Sequence, residues 1–265
     1  CLLGSTSVSW FAVIMGCGAS TAAAPPSQAD AESAPRPKPV VEDGPSLALA
    51  PLTTSAASAG DSAMLVHGPL IGEVSDTTAV VWFRDARPRE TPLVLKWWPS
   101  SGAEAGDGGQ QVVVELIADA DSTSKTLLSG LTPGTAYSFR VGDRSGSFKT
   151  PGTGGLTFCF GSCVGGQGYG RNGEGHAAGE GFPIFAAMAA LQPDFCHING
   201  DSIYGDNAIE AESSQFWNKG KKYVTPPGES VLPAATDLAG FRLRYQYHLE
   251  DPTFASFLAN TPVYK

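Results

Sequence analysis

The chain has 265 residues, enough for two ordinary domains or one large one, and its formal net charge is −9. An acidic surface does not attract the phosphate backbone, so we expect no specific nucleic-acid partner. The five cysteines include no C-x-x-C pair and no dense spacing, which excludes a small scaffold held together by disulfide bonds.

The first segment, residues 1–17, is mostly apolar and uncharged, which is typical of a secretory signal peptide. Its end, "IMGC", resembles a bacterial lipobox, in which the cysteine is lipidated; that residue is Cys17. We therefore expect export to the periplasm or cell surface, with attachment to a membrane through a lipid. A plain signal peptide with an incidental cysteine is the alternative. The chain starts with Cys1 rather than Met, so we expect its true beginning to be missing.

Residues 18–62 are rich in Ala, Pro and Ser, as in "STAAAPPSQADAESAPRPKP". Such a composition cannot bury a core and predicts a disordered linker. The linker would hold a folded domain away from the membrane surface.

Residues 63–152 contain short runs rich in β-branched and aromatic residues, separated by turn residues. These runs are "TTAVVWFRD", "PLVLKWW", "QQVVVELIA" and "AYSFRVG". Regular short strands with turn signals predict a β-sandwich of the fibronectin type III or immunoglobulin-like type. In "LSGLTPGTAYSFRV", Tyr137 occupies the place of a tyrosine corner, whose hydroxyl bonds to the upstream backbone. A generic hairpin with a turn proline is the alternative.

Residues 153–265 change to an α/β pattern, with a strand in "LTFCFGSC", a helix in "FPIFAAMAALQ" and a strand in "PDFCHIN". A right-handed crossover makes the two strands parallel, so their carboxyl ends meet at one edge of the sheet. Cys163 and Asp201 each follow one of these ends, and Tyr204 lies close to Asp201 in sequence. Open α/β sheets bind ligands at this edge.

A thiolate, a carboxylate and a phenolate at one sheet edge are three anionic donors, which suit a metal such as ferric iron. Each residue also has an ordinary interpretation. Cys163 would be a small buried side chain, Asp201 a turn residue and Tyr204 an amphipathic core tyrosine. Their convergence at one edge favours the metal site.

The stretch "GYGRNG", Gly168–Gly173, imitates a dinucleotide-binding fingerprint. The glycines do not close the turn at the strand end, and no helix opens there, so nucleotide binding is disfavoured. We expect a flexible loop over the active-site edge, in which Arg171 either reaches a phosphate oxygen or is a solvated charge. Thiol redox chemistry is also disfavoured, because Cys159 and Cys163 lack the C-x-x-C spacing.

Several stretches resemble alkaline phosphatase D (PhoD-like) metallophosphoesterases. They are "HGPLIGEVSDTTAVVWFRDARP", "FGSC", "GGQGYGRN", "MAALQPDFCHINGDSIYGD" and "FRLRYQYHLEDPTFASFLANTPVYK". The resemblance implies an amino-terminal β-sandwich and an α/β metallophosphoesterase domain. It further implies metal-ligand roles for Cys163, Asp201 and Tyr204 in a centre of iron and calcium or another two-metal set. The implied reaction is metal-assisted hydrolysis of a small phosphate ester. Asn199 departs from the small residue expected before "GD".

The sequence supplies fewer ligands than a two-metal phosphoesterase needs. None of its four histidines forms a His-x-His or Asn-His pair, and each is expected to be structural: His67, His176, His197 and His248. We therefore expect the chain to be an amino-terminal fragment with a truncated α/β domain, and to be nearly inactive alone. We also expect a monomer. The alternative function is a non-catalytic surface lipoprotein that binds a partner through its β-sandwich.

Overall fold

The computed structural model describes residues 8–10, 65–87, 92–102, 104, 109–164, 182–209 and 233–265. Within these ranges the chain forms an antiparallel β-sandwich followed by a parallel sheet with three helices. The predicted linker and most of the predicted signal segment lie outside the described residues, so both stay predictions.

The sandwich has two antiparallel sheets. The first has the order β2-β3-β6 and the second the order β5-β4-β7-β8. The seven strands are β2 (His67–Gly72), β3 (Ala79–Arg84), β4 (Leu93–Pro99), β5 (Gln110–Val114), β6 (Thr123–Leu128), β7 (Ala136–Val141) and β8 (Arg144–Lys149).

Alternation of side chains places one face of each sheet in a shared core. Val81 and Phe83 of β3 are fully buried, as are Leu95 of β4 and Phe139 of β7. The predicted hydrogen bond between the Tyr137 hydroxyl and the upstream backbone is present. The hydroxyl accepts it from the Thr132 N–H at 2.9 Å. This bond fixes the turn that leads into β7.

The second part begins with β9 (Leu156–Gly161), which pairs in parallel with β10 (Phe195–Ile198). A two-residue strand, β11 (Val263–Tyr264), extends the sheet beyond β10, also in parallel. On the other side β9 pairs with β1 (Val8–Trp10), which falls inside the predicted signal segment. The pairing of β9 and β10 as parallel neighbours was predicted and is confirmed.

Three helices accompany this sheet: α1 (Pro183–Ala190), α2 (Leu238–Leu249) and α3 (Pro252–Asn260). Proline occupies the first turn of α1 and of α3, where its missing N–H costs nothing. The buried Asp251 caps α3 by accepting from the Phe254 N–H at 2.9 Å, and it also accepts from the Phe182 N–H at 3.1 Å. One carboxylate therefore joins the start of α3 to the start of α1.

Several elements of the fold were not predicted from the sequence. Strand β2 is one of them, and it begins at the buried His67. Strands β6 and β8 were not predicted, because Ser, Thr, Lys and Arg interrupt their apolar alternation. Helix α3 was not predicted either, although Asp251 and Pro252 form a capping signal at its start.

The sandwich and the parallel sheet contact each other directly. Leu70 of β2 packs against the core formed by α1, α3 and the parallel sheet. The Tyr264 hydroxyl donates to the Val74 carbonyl and accepts from its N–H, both at 3.1 Å. Gln246 of α2 donates to the Asp121 carboxylate at 2.8 Å. The last of these hydrogen bonds holds α2 against the sandwich.

None of the helices in the described part of the chain combines the length and apolar character that a membrane span requires.

Candidate metal centre

The candidate site lies where β9 and β10 end. Cys163 follows Gly161 of β9, and Asp201 follows Ile198 of β10. Two backbone hydrogen bonds hold the ends together: Asn199 N–H donates to the Gly161 carbonyl at 2.7 Å, and Val164 N–H to the Asp201 carbonyl at 2.9 Å. The parallel register thus continues past the strands and brings the two loops into contact.

Three predicted residues converge at this edge, and we call Cys163, Asp201 and Tyr204 the strand-end triad. The Cys163 thiol donates to Asp201 Oδ2 with a sulfur–oxygen distance of 3.0 Å. The Tyr204 hydroxyl donates to the same oxygen at 3.0 Å. The thiol and the phenol therefore meet at one oxygen of the Asp201 carboxylate.

The backbone is unusual at two residues of the triad. Cys163 has φ 58° and Asp201 has φ 42°, both in the left-handed region. Aspartate enters this region with little difficulty, but cysteine does so rarely. Such conformations cost about 1–3 kcal/mol each and concentrate at functional sites, where the surrounding structure maintains them. The strain supports a functional role for these two loop ends.

Hydrogen bonding favours the ionised form of Asp201. The bond from the Cys163 thiol and then the bond from the Tyr204 phenol lower the pKa of the Asp201 carboxyl below its usual range. The side chain is exposed to solvent, so an incoming ion can reach it. The carboxylate therefore remains anionic at pH values where an isolated aspartate begins to take up protons.

The donor set of the triad fits a transition metal. When the thiol and the phenol lose their protons, the three groups present sulfur and oxygen anions to one point, a mixture that suits iron better than magnesium or calcium. A calcium ion takes 6–8 oxygen ligands, and the triad supplies only a carboxylate and a phenolate. Any calcium site would need oxygen ligands in addition to the triad.

Across the ranges that the structure describes, no group of three His, Cys, Asp or Glu side chains is placed to hold a metal ion. The triad contains two residues of these types, and its third member is a tyrosine. It is therefore a partial ligand set rather than a closed metal centre.

The other candidates from the sequence fall into two groups, those outside the described residues and those in the described strands and helices. Arg171, Cys17, His176 and the Gly168–Gly173 stretch lie outside the described residues. His67 and His248 are buried, and His67 Nε2 lies 3.9 Å from a Glu250 carboxylate oxygen across the contact between sandwich and α2. His197 is an exposed residue of β10.

One residue beside the site was missed at the sequence level. Arg244 of α2 is buried, and its guanidinium contacts the backbone of the segment that follows Asp201. Its spacing from the buried Tyr247 and His248 is that of one helix face, so helical periodicity already marks it as an inward-facing cation.

Comparison with known proteins agrees with this architecture. Residues 158–265 match the family of PhoD-like phosphatases, and no curated protein matches the chain. A solved structure of PhoD is similar with a TM-score of 0.54 and 18% identity, over 78% of this chain and 39% of that one. The chain thus spans well under half of that relative.

A fibronectin type III domain of human collagen XX also matches, with 20% identity and a TM-score of 0.28, over 36% of this chain and 100% of that domain. The family match covers β10, α2, α3 and the whole strand-end triad. The similarity of the chain to the PhoD-like phosphatase family is thus carried by residues 158–265, the part that holds the triad.

Proposed function

We propose that this chain contributes part of a metal centre that hydrolyses phosphate esters, with Cys163, Asp201 and Tyr204 as ligands. The observation that carries the proposal is the convergence of the Cys163 thiol and the Tyr204 phenol on Asp201 Oδ2, at 3.0 Å each. The match of residues 158–265 to a phosphatase family supports the same chemistry.

The roles of the three side chains follow from their hydrogen bonds. The lowered pKa of Asp201 keeps this carboxylate ionised and ready to bind a cation. The thiol and the phenol already point their protons at Asp201 Oδ2, so loss of these protons leaves sulfur and oxygen lone pairs directed at the same region. The left-handed backbone at Cys163 and Asp201 holds both loop ends in this arrangement.

Bound metal would supply positive charge that neutralises phosphate oxygens and lowers the pKa of a water nucleophile. This charge also answers an electrostatic difficulty, since a chain with net charge −9 repels phosphate esters at long range. We propose iron at the triad and calcium nearby, with further ligands from outside the described residues. We also propose that Arg171 donates to a phosphate oxygen.

Further parts of the proposal concern the whole protein. The strand order of the sandwich and the bond from Thr132 to Tyr137 support a fibronectin type III or immunoglobulin-like module. The apolar composition of residues 1–17 supports export to the periplasm or cell surface, with a lipid on Cys17. We propose that the protein is a monomer and acts on a small phosphate ester. We also propose that this chain alone has little activity.

Hydrolysis by the protein expressed from its complete gene tests the proposal. Asp201→Asn should reduce phosphate release from an aryl phosphate by at least about 100-fold, since even residues that only support a metal ligand contribute 10–100-fold. Asp237→Asn is the matched control, because Asp237 caps α2 and asparagine caps a helix equally well. Equal activity of the wild type and Asp201→Asn would overturn the proposal. Absence of both metal and activity in the wild type would favour the non-catalytic lipoprotein.

A further inference from the structure

The segment after β10, residues 199–207, carries two of the three triad residues without forming a helix or strand. Its conformation therefore depends on contacts with its surroundings. Gly200 and Asp201 both have positive φ, 76° and 42°. Beyond Asn199, two backbone hydrogen bonds anchor the segment: Val164 N–H donates to the Asp201 carbonyl at 2.9 Å, and Ala235 N–H to the Gly205 carbonyl at 2.7 Å.

Arg244 of α2 adds a third and stronger anchor. Its guanidinium donates to the carbonyls of Asn207 and Pro233 at 2.5 and 2.6 Å, and to that of Tyr204 at 3.4 Å. Only 2% of the residue is exposed. A single buried side chain thus joins the triad segment to the backbone that leads into α2.

Arginine is suited to this position by its charge and its shape. A buried cation is costly unless it is compensated, and burial does lower the pKa of Arg244, while the nearby Asp206 charge acts in the opposite direction. The carbonyl oxygens supply the remaining compensation. The planar guanidinium presents five N–H donors in a fixed fork, whereas a lysine ammonium is a compact charge on a flexible stem. Lysine therefore cannot reproduce the three contacts on two separate segments.

The segment also fits closely against α2. A Cβ atom at Gly205 would lie 2.4 Å from Cε1 of the Phe241 ring, so the backbone at Gly205 lies directly on that ring. Phe241 precedes Arg244 by three positions and lies on the adjacent turn of the same helix. Helix α2 thus contacts the segment with an aromatic ring at Gly205 and with a guanidinium at Tyr204 and Asn207.

We propose that Arg244 is a positioning residue of the metal site: it holds the backbone at Tyr204 and Asn207 so that the Tyr204 phenol reaches Asp201 beside Cys163. The inference rests on the proposed function, because the triad is taken to bind metal. Arg244 does not touch the metal; it acts through the carbonyl groups of the segment that carries two of the ligands.

Arg244→Lys tests this role, with Arg242→Lys as the matched control. Arg242 lies two positions away on the same helix and donates to the Asp119 carbonyl of the sandwich. We expect Arg244→Lys to weaken Co²⁺ binding by about 10–100-fold, the effect usual for groups that orient metal ligands. Binding is followed by the thiolate-to-cobalt charge-transfer absorption, which requires Cys163 and is absent in Cys163→Ser. Arg242→Lys should bind Co²⁺ as the wild type does.

A second measurement reads the position of the segment without metal. In the metal-free protein, amide hydrogen exchange at Val164 and Ala235 should accelerate in Arg244→Lys and stay unchanged in Arg242→Lys, because both amides donate to carbonyls of the segment. If Arg244→Lys binds Co²⁺ as tightly as the wild type, Arg244 does not position the site. The same conclusion follows if Arg244→Lys and Arg242→Lys lose Co²⁺ affinity equally. If the wild type gives no thiolate band, the proposed function fails. The exchange rates then decide separately whether Arg244 holds the segment.

Discussion

The contact between the sandwich and helix α3 depends on the absence of a side chain at Gly146 of β8. A Cβ atom there would lie 2.1 Å from the Ala259 carbonyl oxygen and 2.4 Å from Cζ of Phe139. The first is a backbone atom, and the second belongs to a fully buried ring, so neither can move aside freely. For Gly146→Ala, strand and helix would have to separate by about 1 Å to restore an ordinary contact.

We expect Gly146→Ala to lower the free energy of unfolding by about 1–3 kcal/mol, the usual cost of overpacking. Gly154→Ala is the matched control, because no atom lies within 4 Å of its added Cβ, and it should change stability by less than about 0.5 kcal/mol. Urea unfolding followed by tryptophan fluorescence measures both variants. If Gly146→Ala is as stable as Gly154→Ala, β8 and α3 do not contact each other as described.

Three further predictions concern the same framework. Tyr137→Phe should cost about 0.5–1.5 kcal/mol in urea unfolding, because it removes the hydrogen bond to the upstream backbone; an unchanged midpoint would contradict this. The Arg84 hydrogen bond lowers the pKa of Asp121, so its stabilisation is present above the ordinary value of 3.8 and is lost as pH falls through the folded value. The free energy of unfolding of the wild type should therefore exceed that of Asp121→Asn by roughly 1 kcal/mol near neutral pH. A difference that persists in strong acid would show that the Asp121 charge is not its source. Cys159 and Cys196 should resist alkylation in the native protein, because both are buried and burial raises the pKa of both thiols, that of Cys196 to about 12. Peptide mass spectrometry measures this, and rapid modification of either would count against the described core.

The predictable part of the fold is the part with a strong local signal. The runs around β3, β4 and β7 are dense in β-branched and aromatic residues, and α1 combines an apolar run with Pro183. Strands β6 and β8 carry polar residues on their exposed faces, and the short β11 depends on pairing with β10. These elements form through tertiary contacts that local sequence preferences do not encode.

The candidate site was predictable for a topological reason. Cys163 and Asp201 follow parallel neighbouring strands, and this places them at one edge whatever the detail of the loops. Arg244 was not recognised, because its role depends on carbonyl groups of Tyr204, Asn207 and Pro233. Every residue has a backbone carbonyl, so the sequence does not indicate which carbonyls accept hydrogen bonds from a side chain. An anchor of this kind is recognised only once the fold is known.

The metal content of the protein expressed from its complete gene tests the central claim most directly. Iron per chain is measured by mass spectrometry in the wild type, Cys163→Ser and Tyr204→Phe. Tyr245→Phe is the control, since Tyr245 is a partly exposed residue of α2 outside the triad. We expect the wild type and Tyr245→Phe to retain iron, and Cys163→Ser and Tyr204→Phe to lose most of it. Undiminished iron in both triad variants would contradict the assignment of these side chains as ligands.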